Sequence, residues 1–261
     1  MRIACTYRDI YENDNHRWID EMREAGFSYM EIAVSHLPED EAVQEEILSY
    51  ALSCGFSLNL HAPYGKNNIS SSDDARRASS LANVKRSIDL AAKYGLGTVT
   101  FHPGRCSDDE EDPEKNRARL MGVVADLAAY AKEKQVYVGI ENMERRPYEL
   151  IHTVEELNGF AHLAENNPYF GATMDFAHYF SHGIGMPNLY DLKLPLHDVH
   201  LSQSVEGMLH RSLVSEGGAL DLSDVCRRLT DYGYDGFLVL EIGEHFRESK
   251  ELLEQVLATL K

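Results

Sequence analysis

Eight short apolar runs recur along this chain, and a segment with helical spacing of its apolar residues follows each run. Strands that alternate with helices predict a parallel sheet, because each crossover helix returns the chain to the start of the next strand. Eight such units in about 250 residues indicate an α/β protein, a single closed (β/α)8 (TIM) barrel. The predicted strands are residues 3–6, 29–34, 57–60, 98–101, 137–140, 170–174, 198–201 and 237–240.

Signals for helix boundaries agree with this alternation. Asp73 and the pair Asp112-Pro113 each open a segment with apolar residues three or four apart. Thr153 with Glu156 has the spacing of a capping box, which predicts a helix through Leu163. The stretch from Tyr179 to Pro195 carries several glycines and prolines, which predicts a loop. No linker divides the chain, so residues 1–261 are interpreted as one domain.

Composition limits the classes of partner. The net charge is −18, with 43 acidic and 25 basic residues, and the densest charged run, Asp108 to Asp112, is acidic. These charges argue against nucleic acid as a partner. The four cysteines are dispersed, and the chain has neither an apolar leader nor an apolar run that could span a membrane. We therefore expect a cytoplasmic protein, and the oligomeric state stays open, a homo-oligomer included.

Residues of the metal-ligand type end six consecutive apolar runs. Each has an ordinary structural alternative, such as a turn histidine or a helix cap. Together, however, they converge, because the carboxyl ends of barrel strands meet at one mouth. Carboxylates packed there repel one another unless a cation joins them, and mixed imidazole and carboxylate ligands suit transition metals better than calcium. The predicted cofactor is a divalent metal, with manganese, zinc, cobalt and magnesium as candidates. The predicted ligands are His61, His102, Glu141, Asp175, His200 and Glu241.

Six motifs spread over nearly the whole chain resemble the xylose isomerase-like barrel superfamily, which includes metal-dependent sugar isomerases and epimerases and endonuclease IV-type nucleases. They are His-Ala-Pro-Tyr at 61–64, Phe-His-Pro-Gly at 101–104, Ile-Glu-Asn at 140–142, Asp-Phe-Ala-His at 175–178, His-Leu-Ser at 200–202 and Leu-Glu at 240–241. The resemblance implies one metal shared by Glu141, Asp175, His200 and Glu241. In the nuclease branch it also implies a second metal on His61, His102 and Glu141.

The first functional hypothesis is a sugar or sugar-phosphate isomerase or epimerase with a small carbohydrate substrate. Glu141 and Glu241 are the expected catalytic pair, which removes and returns a proton through an enediolate. The expected substrate-binding residues are His178, Tyr64, His210 and Arg211. One departure from the family weighs against this hypothesis, because Glu206 stands where related epimerases carry an arginine.

The alternative is a zinc-dependent endonuclease of the AP endonuclease family 2 type, a phosphodiester hydrolase. His61 and His102 favour it. A third metal of that branch would use His178, His210 and an aspartate, but Met208 stands at the aspartate position, and Gly65 replaces the bulky residue expected after Tyr64. A third hypothesis is a barrel that binds a small molecule or metal without turnover. The intact glutamate pair and the net charge favour the isomerase or epimerase.

Overall fold

The predicted barrel is confirmed. A computed structural model describes residues 1–12, 14–106, 112–183 and 185–260 of the chain. The strands are β1 (Arg2–Thr6), β2 (Tyr29–Ala33), β3 (Ser57–His61), β4 (Val99–Phe101), β5 (Val138–Glu141), β6 (Phe170–Asp175), β7 (Leu196–Leu201), β8 (Gln203–Val205), β9 (Met208–Arg211) and β10 (Phe237–Leu240). Eight of them close into a barrel in the order β1-β10-β7-β6-β5-β4-β3-β2, and all neighbours in it are parallel.

A helix follows every barrel strand. The helices are α1 (Arg17–Glu24), α2 (Glu41–Ser53), α3 (Asp74–Tyr94), α4 (Pro113–Lys134), α5 (Val154–Asn158), α6 (Phe176–Phe180), α7 (Leu222–Tyr232) and α8 (Phe246–Ala258). The predicted caps form, because Asp73, Asp112 and Thr153 each accept a hydrogen bond from a backbone N–H of the helix that they precede. The remainder of the acidic run, Asp108 to Glu111, lies outside the described residues.

Two segments differ from the sequence prediction. Strands β8 and β9 form an antiparallel hairpin after β7, which is additional to the eight strands that the sequence predicts. The helix expected from Thr153 to Leu163 ends at Asn158, followed by Gly159, and resumes as the short 3-10 helix Ala161–Leu163. Within the described residues, none of the helices has both the length and the apolar character needed to cross a membrane.

Alternate residues of the barrel strands point inward and form two layers, because side chains repeat with a period of two along a strand. The upper layer, at the carboxyl ends of the strands, contains His61, Glu141, Asp175 and His200. The lower layer lies two residues earlier in each strand and contains Asn59, Thr100, Gly139, Thr173 and Asp198. Gly139 is required there, because an added Cβ would lie 2.1 Å from Oγ1 of Thr173.

Candidate metal centre

The six predicted ligands meet at the mouth of the barrel. His61, Glu141 and Asp175 are the last residues of β3, β5 and β6, and His102 and Glu241 each come directly after a strand. Asn142 holds the ends of β5 and β6 together, since its side chain donates to the carbonyl of Asp175 (2.9 Å) and accepts from the N–H of Asp175 (2.8 Å). The strand ends therefore place the ligands without help from flexible loops.

The first cluster contains His61, His102 and Glu141. Oε2 of Glu141 lies 3.2 Å from Nε2 of His61 and 3.0 Å from Nε2 of His102. Nδ1 of His61 lies 2.8 Å from the carbonyl oxygen of Ala62, which can only accept, so Nδ1 carries a proton and Nε2 faces the cluster. Burial opposes charge on His61, but its contact with Glu141 raises its pKa to about 8.

The second cluster contains Glu141, Asp175, His200 and Glu241. Nδ1 of His200 lies 3.1 Å from Oε2 of Glu241 and 3.3 Å from Oε1 of Glu141. Glu141 thus directs one carboxylate oxygen into each cluster. Burial alone would raise the pKa of Glu141, but His200 and His102 hold it well below its usual range, so this shared carboxylate is charged.

These residues fit a divalent cation. Oε1 of Glu141 and Oδ2 of Asp175 are buried and lack a hydrogen-bond partner. An unpartnered buried polar atom costs about 1–3 kcal/mol, and coordination of a cation removes that cost. In each cluster the ligand atoms lie within 4.8 Å of one another. Imidazole and carboxylate together suit zinc, manganese, cobalt or iron.

A third cluster combines His178 and His210 with Glu144, a residue that the sequence analysis did not identify. Oε2 of Glu144 lies 3.0 Å from Nε2 of His178, and its Oε1 pairs with Arg146 at 2.5 Å. Nδ1 of His178 lies 3.0 Å from the carbonyl oxygen of Asn142, so its buried Nε2 is directed into this cluster. Met208 takes no part, since its side chain is exposed and its sulfur contacts Arg211.

Glu31 was also missed. It lies inside β2 rather than at a strand end, is 2% exposed, and places Oε2 3.2 Å from Nε2 of His200. A carboxylate on the far nitrogen of a histidine fixes the orientation of the ring and increases its basicity as a ligand. The sequence did hold a signal, because a charged residue interrupts the apolar run Met30-Glu31-Ile32.

One cavity of about 390 Å³ opens above the clusters. Among the predicted substrate-binding residues, Tyr64, His178 and His210 line it, whereas Arg211 is exposed and does not. Tyr64 stacks on His102 with ring centroids 5.3 Å apart, and its hydroxyl lies 2.7 Å from Nε2 of His36. Two arginines that the sequence analysis did not identify, Arg8 and Arg146, also line the cavity.

Comparisons with curated proteins give two distant relatives. The uncharacterized protein MJ1188 of Methanocaldococcus jannaschii is 24% identical over 212 residues, which cover 79% of this chain and 76% of that protein. A protein named probable endonuclease 4 of Geobacter sulfurreducens is 23% identical over 182 residues, 70% of this chain and 55% of that protein.

Solved structures share the fold over the whole chain. A D-tagatose 3-epimerase-like protein has a TM-score of 0.84 at 17% identity and covers 100% of this chain and 98% of its own. D-psicose 3-epimerase from Clostridium cellulolyticum H10 has a TM-score of 0.79 at 18% identity, with 98% and 99% covered. Residues 19–261 match the family model described as xylose isomerase-like TIM barrel, and the chain belongs to that family.

Proposed function

We propose that this protein is a divalent-metal-dependent isomerase or epimerase of a carbohydrate. The observation that carries the proposal is a cavity of about 390 Å³ above two ligand clusters that share Glu141, with a second carboxylate, Glu241, open to the cavity. The names of two proteins with the same fold, a D-tagatose 3-epimerase-like protein and a D-psicose 3-epimerase, support a carbohydrate substrate.

Glu141, Asp175, His200 and Glu241 would hold one ion, and His61, His102 and Glu141 a second. A bound divalent ion supplies a Lewis acid, which increases the acidity of a carbon between a carbonyl and a hydroxyl group. Glu241 would remove the proton, a role that is supported by the 27% exposure of its side chain and by its position in the cavity wall. Glu141 has no exposed surface, so its proposed part is to join the two clusters.

Three side chains around the cavity would orient the substrate. Nδ1–H of His178 donates to a backbone carbonyl, and its Nε2 lies 3.0 Å from Oε2 of Glu144 at the cavity wall. The hydroxyl of Tyr64 is held by His36, and burial raises the pKa of Tyr64, so the phenol stays neutral and can exchange hydrogen bonds with a sugar hydroxyl. His210 lies beside His178, with ring centroids 5.3 Å apart.

The test is metal-dependent proton exchange. The protein is purified without added metal, reconstituted separately with manganese, cobalt, zinc and magnesium, and incubated with ketoses and aldoses, free and phosphorylated, in deuterated water. We expect deuterium to enter one carbon next to a carbonyl. Glu241→Gln, assayed at saturating metal with metal content measured, should lower the rate by about 10²–10⁴-fold.

The matched control is Glu133→Gln on α4, because Glu133 is exposed and remote from the mouth. It should behave like the wild type. Exchange that proceeds equally well in Glu241→Gln, or a metal-loaded wild type that exchanges no substrate of the panel, would contradict the proposal.

A second candidate, a zinc-dependent phosphodiesterase, is favoured by one specific observation. The cluster of His61, His102 and Glu141 lies beside the second cluster, and paired metals activate water and stabilise the leaving oxygen in phosphoryl hydrolysis. A relative named probable endonuclease 4 supports it, whereas the net charge of −18 opposes binding of a polyanion. Nicking of duplex DNA with one abasic site by the zinc-loaded protein, lost in His61→Ala, would select this candidate.

A further inference from the structure

We propose that the substrate carries an anionic group, a phosphate ester or a carboxylate, and that Arg8 binds it. This inference rests on the proposed function in one respect: the cavity above the metal clusters is taken as the substrate site. It assigns the binding of that group to Arg8 rather than to Arg211, which the sequence predicts as a substrate-binding residue.

The guanidinium of Arg8 lies at the cavity wall, and most of its N–H donors are free. It follows β1, and its Nη1 donates to the carbonyl oxygen of Gly243, which lines the same cavity. Its guanidinium carbon lies 6.0 Å from the centroid of the Trp18 ring. A guanidinium has five N–H donors, and these contacts fix the side chain while leaving most of the donors free.

The carboxylates of the cavity do not neutralise Arg8. Glu31 and Glu241 each contact His200, and Glu144 contacts His178. Over the part of the chain that the structure describes, no carboxylate forms an ion pair with Arg8, in a protein that has 43 acidic and 25 basic residues. An arginine that stays unpaired in so acidic a chain is available to an anionic ligand.

The other arginine of the cavity, Arg146, already has a carboxylate partner. Strands β1 and β5 are four strands apart in either direction around the barrel, so Arg8 and Arg146 stand on opposite sides of the mouth. Arg146 forms an ion pair with Glu144 at 2.5 Å and is largely exposed. Because Glu241 follows β10, the neighbour of β1, the anionic group would lie on the Glu241 side of the cavity.

Arginine suits this role chemically. Its planar N–H donors match two oxygens of a phosphate or a carboxylate at once, and such charge-assisted pairs are stronger than neutral hydrogen bonds. Neutral sugars offer only uncharged hydroxyl and carbonyl oxygens, which form weaker hydrogen bonds with a guanidinium than an anion does. The geometry therefore favours an anionic carbohydrate over a neutral one.

The first experiment measures anion binding directly. Inorganic phosphate and acetate are titrated by calorimetry into the metal-loaded wild type and into metal-loaded Arg8→Gln, Arg8→Lys and Arg211→Gln. Phosphate also binds metal ions, so the result is the difference between variants. We expect Arg8→Gln to weaken the preferred anion about tenfold or more, Arg8→Lys to retain part of the affinity, and Arg211→Gln to match the wild type.

The stronger of the two anions identifies the group, and equal affinity in the wild type and Arg8→Gln overturns the proposal. Thermal melting of each variant confirms that it is folded. In the exchange assay, Arg8→Gln should raise KM for the anionic substrate with a smaller change in kcat. If neutral sugars exchange at the same rate in Arg8→Gln and in the wild type, the anion proposal alone is contradicted. If anions bind in an Arg8-dependent manner but no sugar exchanges, the proposed function alone is contradicted.

Discussion

The two inward layers of the barrel differ in whether their buried polar groups have hydrogen-bond partners. In the lower layer Asn59 donates to Asp198 at 2.5 Å and accepts from the N–H of Thr98 at 2.9 Å. The hydroxyls of Thr100 and Thr173 pair across the barrel at 2.8 Å. Two residues further along β5 and β6, Oε1 of Glu141 and Oδ2 of Asp175 have no hydrogen-bond partner.

This difference distinguishes polar groups that stabilise the fold from polar groups that we expect to serve function. The lower layer is complete by itself, because each of these polar side chains is paired with another part of the barrel. The upper layer pairs carboxylates with imidazoles, but Oε1 of Glu141 and Oδ2 of Asp175 keep no hydrogen-bond partner there. Unpartnered buried groups lower stability, so their presence at the mouth indicates a requirement other than folding.

The largest expected effect comes from Glu141, the residue shared by two clusters. In the wild type, saturation with metal at about 100 times Kd should stabilise the fold by about 2.7 kcal/mol. Glu141→Gln should abolish that stabilisation and the proposed activity, because both clusters lose a ligand. The metal-free variant should be less stable than the metal-free wild type, because His61, His102 and His200 lose the carboxylate that they contact.

Elemental analysis and thermal melting with and without metal measure both effects, with Glu133→Gln as the control for loss of a carboxylate. If Glu141→Gln binds the same number of ions as the wild type and is stabilised equally, the mouth is not a metal centre. The contrast between the layers would then need another explanation.

Glu31 connects the layers and should give an intermediate effect. It pairs in register with Asn59 of the lower layer, yet its carboxylate contacts Nε2 of His200 in the upper one. Glu31→Gln should weaken metal binding about 10–100-fold, the effect typical of a residue that orients a ligand. Excess metal should restore most of the proposed activity, because the proposed role of Glu31 is to orient His200.

Metal titrations followed by assays at saturating metal separate this positioning role from a direct one. Glu31→Asp serves as the conservative variant and should retain part of the affinity. A loss of activity in Glu31→Gln that excess metal does not restore would place Glu31 in the chemistry itself.

The sequence predicted the barrel and the ligands at the strand ends for the same reason. Strand ends are visible as apolar runs that stop at a polar residue, and parallel topology brings those ends together, as for His61, Glu141 and Asp175. Glu31 was not predicted as a site residue, because its role depends on a contact with His200, 169 residues away. A strand pattern does not show which interior residues meet across the barrel.

Glu144 was missed for a related reason. It lies in the loop after β5, whereas His210 lies in β9, and their approach depends on the β8–β9 hairpin, which is not among the eight predicted strands. The resemblance to the nuclease branch predicts an aspartate at position 208, but Met208 stands there and supplies no carboxylate to the third cluster. In the structure Glu144 brings one from the loop after β5. Spacing within one segment does not reveal a group that another segment supplies.

The smallest expected effect tests the lower layer. Thr173→Val or Thr100→Val alone leaves one buried hydroxyl without a partner and should lower the free energy of unfolding by about 1–2 kcal/mol. The double variant replaces both partners with groups of the same shape and should cost less than the sum of the two single changes. Urea denaturation measures the cycle, and metal titration of the same variants should show wild-type affinity. If either threonine variant weakens metal binding as much as Glu31→Gln, the layers are coupled, because a change confined to the lower layer would then alter the geometry of the ligands above it.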